Sequence, residues 1–188
     1  EWIKKQYAPN MMEKPGMTLS RWIDGVMEKN ELIDQDSNLR ALVYWGHAPN
    51  SQTRGKEMVE AMKKLDLLVV IDPYPSATAP MANMSKSEAA KAGGATGDVY
   101  LLPAATEFET SGSCTASNRS IQWRERVISP LFESQTDHAI MYAFAKKFGF
   151  DKELVKNYKM VKPDANKWEE PEHESILMFV IGGDAPRA

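Results

Sequence analysis

LRALVYWGHAPNSQTRGKEMVEAMKKLDLLVVIDPYP, residues 39–75, decides the fold. It opens on an apolar run, residues 39–45, rich enough in branched and aromatic side chains for a buried strand. The run breaks at GHAPNSQTRG, residues 46–55. A helix over roughly 53–64 follows, with Met58, Ala61, Met62 and Leu65 forming one apolar stripe that packs on a sheet. LDLLVVIDPYP, residues 65–75, is a second buried strand, and it ends on Asp72-Pro73. Strand, helix, strand in this order is a βαβ unit, and such units bind nucleotides at the carboxyl ends of their strands.

Working outward, residues 1–38 form a polar N-terminal helical or irregular segment. There Thr18 or Ser20 caps a short helix carrying Trp22, Ile23, Val26 and Met27 on one face. Residues 75–97, rich in Ala, Ser, Gly and Pro, read as a loop with one turn of helix at most. DVYLL, residues 98–102, is a third short strand stopped by Pro103, and the small, polar stretch 104–120 reads as an exposed connection. IQWRERVI, residues 121–128, reads as a strand or extended segment stopped by Pro130. The clearest helix is Asp137 to Phe148, with Asp137 at the N-cap, Gly149 at the C-cap, and Ile140, Met141, Phe144 and Phe148 on its apolar face. Residues 151–188 form a charged C-terminal extension whose last residues, from Met178, join no pattern. The expected architecture is α/β, with a mainly parallel, Rossmann-like sheet flanked by helices, and residues 39–150 as its nucleotide-binding domain.

Composition narrows the partners. A chain of 188 residues is long enough for a real core, and its net charge of −3 gives no reason to expect nucleic acid. One cysteine, Cys114, excludes a disulfide or a cysteine-rich metal cage within the chain. No apolar stretch is long enough to span a bilayer. The chain starts at Glu1 without a signal peptide, so processing or truncation is expected.

The loop after the first strand combines Gly46, His47, Asn50 and Ser51 with the start of a helix. Backbone approach at the glycine, side-chain donors and free helical N–H groups suit a diphosphate. The plainer reading is a strand-to-helix turn capped by Asn50 or Ser51, and on that loop alone it is the better one. Asp72 either accepts from both ribose hydroxyls or begins a turn before Pro73. Asp137 either accepts from the N1–H and exocyclic amine of guanine or caps its helix, and spacing alone favours the cap. His47 has no second histidine or cysteine at metal-ligand spacing, and His138 and His173 read as surface residues. No nucleophile triad, phosphate-binding lysine motif or paired-carboxylate site stands out, and no catalytic or metal-ligating residue is assigned.

The strings WGHAPNSQTRG, VVIDPYPSATA, VYLLPAATEFETSGS, TASNRSIQWRERV and PLFESQTDHAIMYAFAKKFGF occur in this order. Together they resemble the large catalytic subunit of molybdenum- or tungsten-dependent formate dehydrogenase, within the dimethyl sulfoxide reductase superfamily. The similarity runs from about Leu39 to Phe150 and more weakly to about Ile176. It falls in the domain that holds one of two molybdopterin guanine dinucleotides.

The resemblance implies a set of contacts. Gly46, His47 and Asn50 would touch the nucleotide, Asp72 the guanosine ribose, Thr78 the cofactor beside it, and Asp137 the guanine. Thr110 stands where some relatives carry a lysine that contacts the dinucleotide. The implied parent oxidises formate to carbon dioxide at a molybdenum or tungsten bis-pterin centre and passes electrons to a 4Fe-4S cluster and an iron–sulfur subunit. The four cluster cysteines, the metal-ligating selenocysteine or cysteine with its histidine, and the substrate arginine have no match in this chain, and Cys114 does not occupy the metal-ligand position. The expectation is therefore a fragment of the subunit, inactive alone, partnered by the remainder of that subunit. The resemblance favours the periplasm over the cytoplasm. The alternatives are another oxidoreductase of the superfamily, such as a nitrate reductase, a stand-alone cofactor-binding module, or an α/β domain with a vestigial site.

Overall fold

The computed structural model describes residues 17–27, 37–47, 53–75, 77–93, 97–155 and 159–171. The described residues up to Leu102 belong to one compact unit and those from Pro103 onward to another.

The N-terminal unit is the βαβ reading extended by one repeat. A 3-10 turn, Leu19–Arg21, leads into helix α1, Trp22–Met27. Strand β1, Ala41–Trp45, is followed by α2, Gly55–Lys64, and by β2, Leu67–Asp72. Then come α3, Thr78–Lys91, and β3, Asp98–Pro103. The sheet order is β1-β2-β3, and β1 and β2 run parallel with Ala41 opposite Leu67 and Trp45 opposite Ile71. The architecture is α/β, a parallel three-stranded sheet flanked by helices. Helices α2 and α3 lie against each other. Tyr44, Leu68 and Val70 face Met58, Ala61, Met62 and Leu65, the stripe read from the sequence, and all are buried.

Several expectations need correction. Residues 78–91 are a 14-residue helix, not a loop. Its buried positions are Thr78, Ala79, Ala82, Ser85 and Lys86, a face of small or polar residues without a hydrophobic stripe. Alanine favours helix, and Pro80 sits in the first turn, where no intrahelical N–H is required. Helix α1 buries Trp22, Ile23 and Val26, but Met27 is exposed. Thr18 occupies the N-cap position of the 3-10 turn without a side-chain capping bond.

The C-terminal unit holds a hairpin of β4, Gly112–Thr115, and β5, Ile121–Arg124, paired antiparallel. Helices α4, Asp137–Phe148, and α5, Asp151–Leu154, and the short pair β6, Met160–Val161, and β7, Glu170–Pro171, follow. The stretch 104–120 is thus not simply an exposed connection. It contains a strand, and Ala104, Ala105, Glu109 and Ser111 are buried. Helix α4 has the predicted bounds, and Gly149 takes the left-handed C-cap conformation with φ 80°. Its N-cap is Thr136, not Asp137. The Thr136 hydroxyl accepts from the Ala139 N–H at 3.1 Å. Its buried face is Ala139, Ile140 and Ala145, whereas Met141 and Phe148 are exposed. Phe148 instead stacks between the rings of Phe144 and Phe150.

Charged and polar side chains, not a broad apolar stripe, bind this unit together. The buried Glu109 carboxylate accepts from the Thr106 N–H at 2.6 Å, the Thr106 hydroxyl at 2.8 Å and the Leu131 N–H at 2.6 Å. Burial pushes its pKa up. The bonds from Thr106 and Leu131 and the Lys167 charge outweigh this and hold it below the ordinary value. Lys167, also buried, donates to the Phe132 carbonyl at 2.6 Å and the Ser134 carbonyl at 3.1 Å. Glu170 accepts from the Thr136 hydroxyl and pairs with Arg126 at 3.5 Å.

Candidate functional site

The tips of β1 and β2 set the geometry. Parallel pairing in register makes both strands finish together, so Gly46 and Asp72 follow directly on the paired Trp45 and Ile71. The Gly46 N–H donates to the Ile71 carbonyl at 2.9 Å. Gly46 has φ +58°, a conformation that side-chain-bearing residues rarely adopt, and a Cβ there would meet nothing within 4 Å. The backbone therefore turns sharply, with nothing packed against Gly46 among the described residues.

Asp72 is half-buried, and its Oδ1 accepts from the Tyr74 N–H at 3.0 Å, which organises the turn through Pro73. The turn fixes the carboxylate at the strand tip, so the two readings of this residue are compatible. His47 is half-buried and its ring lies parallel to Tyr44, 7° between planes and 6.0 Å between centroids. Thr78, fully buried at the start of α3, has its hydroxyl 3.5 Å from the His47 carbonyl, at the outer limit for a hydrogen bond. Thr78 is thereby placed to steady the loop from beneath. Asn50 and Ser51 lie outside the described residues, and the N-cap position of α2 is Arg54, so neither of them is its cap.

Two residues that the sequence reading passed over brace this loop. Arg54, with φ +69°, ends it. Its guanidinium pairs with the buried Asp24 carboxylate of α1 at 2.6 Å and with Glu57 in the first turn of α2. Asp24 also holds Arg21 at 2.8 Å. The available signal was an acid on the buried side of a short apolar helix, which needs a cationic partner. Beneath the loop, Trp22 and Tyr44 meet edge to face at 5.9 Å. Burial pushes the Tyr44 phenol above its ordinary range, and the Trp22 indole offsets this only in part. Neither the indole N–H nor the phenol makes a hydrogen bond of acceptable geometry among the described residues.

Thr110 and Asp137 belong to the C-terminal unit. Thr110 is half-buried between Glu109 and Ser111, and the Ser111 hydroxyl accepts from the Arg126 N–H at 2.8 Å. Asp137 is exposed as the first residue of α4, next to the capping Thr136. His138 is partly exposed, Cys114 is exposed, and His173 lies outside the described residues. No group of three or more potential ligands that could hold a metal ion occurs among the described residues. No described helix is long and apolar enough to cross a membrane.

No protein-family model matches the chain. Over 149 residues, 73% of the chain, it is 28% identical to a trimethylamine-N-oxide reductase of Vibrio cholerae, of which that stretch covers 16%. Over 150 residues, 79% of the chain, it is 27% identical to a protein of Staphylococcus aureus strain bovine RF122 provisionally named formate dehydrogenase, of which it covers 13%. A protein of strain USA300 with the same provisional name is 26% identical over the same share. The chain thus spans only 13–16% of the length of these relatives, whose names are those of oxidoreductases.

Proposed function

We propose that this chain is part of the catalytic subunit of a molybdopterin oxidoreductase, a formate dehydrogenase, in which it grips one guanine dinucleotide of the cofactor. The observation that carries the reading is the pair of adjacent strand tips, a left-handed glycine turn on β1 and a fixed carboxylate on β2. The relatives support the oxidoreductase class. Their names support formate as substrate for the parent but not that substrate alone.

The donor set fits such a ligand. The left-handed turn at Gly46 lets the backbone approach a diphosphate closely. Asp72, fixed by its turn, accepts from ribose hydroxyls. His47, steadied by Tyr44 and by Thr78, presents a ring beside them. Asn50 completes the proposed N-terminal contacts, while Thr110 and Asp137 are the contacts proposed from the C-terminal unit, Asp137 for guanine. These residues bind and orient. The metal of the parent enzyme, molybdenum or tungsten, would supply the two-electron oxidation of formate to carbon dioxide. Electrons would leave through a 4Fe-4S cluster of the parent and an iron–sulfur subunit, and the parent would reside in the periplasm.

Titration calorimetry with GDP tests the grip. Asp72→Ala should weaken binding by roughly ten- to a hundredfold, the loss of a charge-assisted hydrogen-bond pair worth about 1.5–3 kcal/mol. Equal affinity in wild type and variant would remove the proposed site. The trimethylamine-N-oxide reductase similarity favours a second reading, another reductase of the same superfamily. The adjoining coding sequence separates the two, because the metal-ligating residue lies there.

A further inference from the structure

Helix α1 lies outside the β1–α2–β2 repeat, yet it holds both ends of the loop that joins β1 to α2. At the start of the loop, Trp22 meets Tyr44 edge to face, and the Tyr44 ring lies parallel to that of His47. At its end, Asp24 pairs with Arg54 at 2.6 Å. A helix of six residues can hold a loop only if it is itself held. Trp22 through Val26 are all buried. The Gly25 carbonyl accepts from the Leu39 N–H at 2.8 Å, and the Val26 carbonyl accepts from the Asn38 amide at 2.9 Å. A Cβ at Gly25 would come within 2.7 Å of Met17 and 2.9 Å of Leu39, so the packing there is close. Helix α1 is thus tied to the entry of β1, while Trp22 and Asp24 meet residues at its exit.

Arg54 is where this hold acts. It has φ +69°, a left-handed conformation that a long side chain keeps only when its surroundings impose it. It occupies the N-cap position of α2 without a side-chain capping bond, and a guanidinium has no acceptor to offer. The first-turn N–H groups of α2 therefore receive no cap from it, and the turn at Arg54 sets where they point. The guanidinium is engaged by Glu57 and by Asp24, which is 3% exposed. A surface pair would fix little, but a carboxylate buried to that degree is costly to leave without its cation.

We infer that Asp24 and Arg54 are positioning residues: they fix the end of the loop and so aim the first turn of α2 at the diphosphate, without touching it. This role rests on the reading of the loop as the dinucleotide site, and it divides the labour there. Asp72 serves the nucleoside end of the ligand, and α1, through Asp24, serves the diphosphate end.

Calorimetry on the 188-residue chain with GDP and with guanosine tests the role, because the two ligands differ only in the diphosphate. Wild type should bind GDP roughly tenfold or more tightly than guanosine. Asp24→Asn keeps the side-chain shape but releases Arg54, and should bring that ratio below about threefold with guanosine affinity unchanged. Arg54→Gly, whose backbone takes the left-handed turn without strain, should do the same. Lys63→Met removes a like charge from the last turn of α2 and should keep the wild-type ratio. A wild-type ratio in both Asp24→Asn and Arg54→Gly would overturn the positioning role. Tighter GDP binding by Asp24→Asn would overturn it too, because the released guanidinium would then be reaching the phosphates itself. Equal losses for GDP and guanosine would reduce the pair to a support of the fold. Wild type that binds neither ligand removes the cofactor reading and this role with it, whereas a wild-type preference for GDP that survives in the variants removes the role alone.

Discussion

The two compact units bury different chemistry. Up to Leu102 the interior is chiefly Met58, Met62, Leu65, Leu68 and Val70 closed over by helices, a core of transfer free energy and packing, with Asp24 and Lys86 as its buried charges at the edge. From Pro103 onward the apolar interior is small, chiefly Ala104, Ala105, Ala139, Ile140 and Ala145, and the buried set also includes Glu109, Gln135, Thr136, Lys167 and Glu170. The difference teaches that neighbouring stretches of one chain can be stabilised by unlike means. A core of the first kind, dominated by apolar side chains, tolerates a polar change poorly. One of the second kind responds to protonation, because its buried charges are worth having only while they are paired.

Predictions from the contrast run from large to small. Met62→Ala removes a fully buried side chain and should cost about 2–5 kcal/mol, read by urea denaturation. Its lost hydrogen-exchange protection should concentrate in β1 and β2. Loss concentrated in the hairpin and α4 instead would break the contrast. Lys167→Met keeps the volume but strands two carbonyls, and should cost about 1–3 kcal/mol. Its exchange signature should appear at residues 131–136.

Acid acts on the C-terminal unit through Glu109. The Glu109 carboxyl sits below its ordinary value of 4.5 in the folded chain. Its contribution is therefore complete above pH 4.5 and is lost as pH falls through the lower, folded value. Acid titration followed by exchange should loosen the contacts at Thr106 and Leu131 in that window, and Glu109→Gln should remove this part of the pH dependence. An unchanged acid profile in the variant would show that the pH response arises elsewhere. The smallest effect belongs to the helix cap. Thr136→Ala removes the cap and a donor to the buried Glu170, and should cost about 1–2 kcal/mol, visible as fraying of the first turn of α4, while Asp137→Ala should leave the capping bond in place.

The N-terminal unit was legible in sequence where periodicity is strong. The β1–α2–β2 repeat and the Met58, Ala61, Met62, Leu65 stripe appear where expected. Helix α3 was missed because its buried face is built from Ala, Ser and Thr, which a hydrophobic pattern does not register. Gly46 and Asp72 were recognisable because strand ends are marked by a glycine and by an acid before proline. The Asp24–Arg54 brace was not, because it joins residues thirty positions apart.

By itself the sequence determined the local elements: the alternation of strand and helix, the sharp turn at Gly46, and the left-handed close of α4 at Gly149. These depend on neighbours within a few residues, so propensity and spacing carry them. Only the tertiary structure decided which charges are buried and what they hold. Lys167 reaches back to Phe132, and Glu170 to Thr136. Such bonds join distant positions through side chains that follow no period, and they become favourable only after folding has removed the water that would otherwise satisfy them.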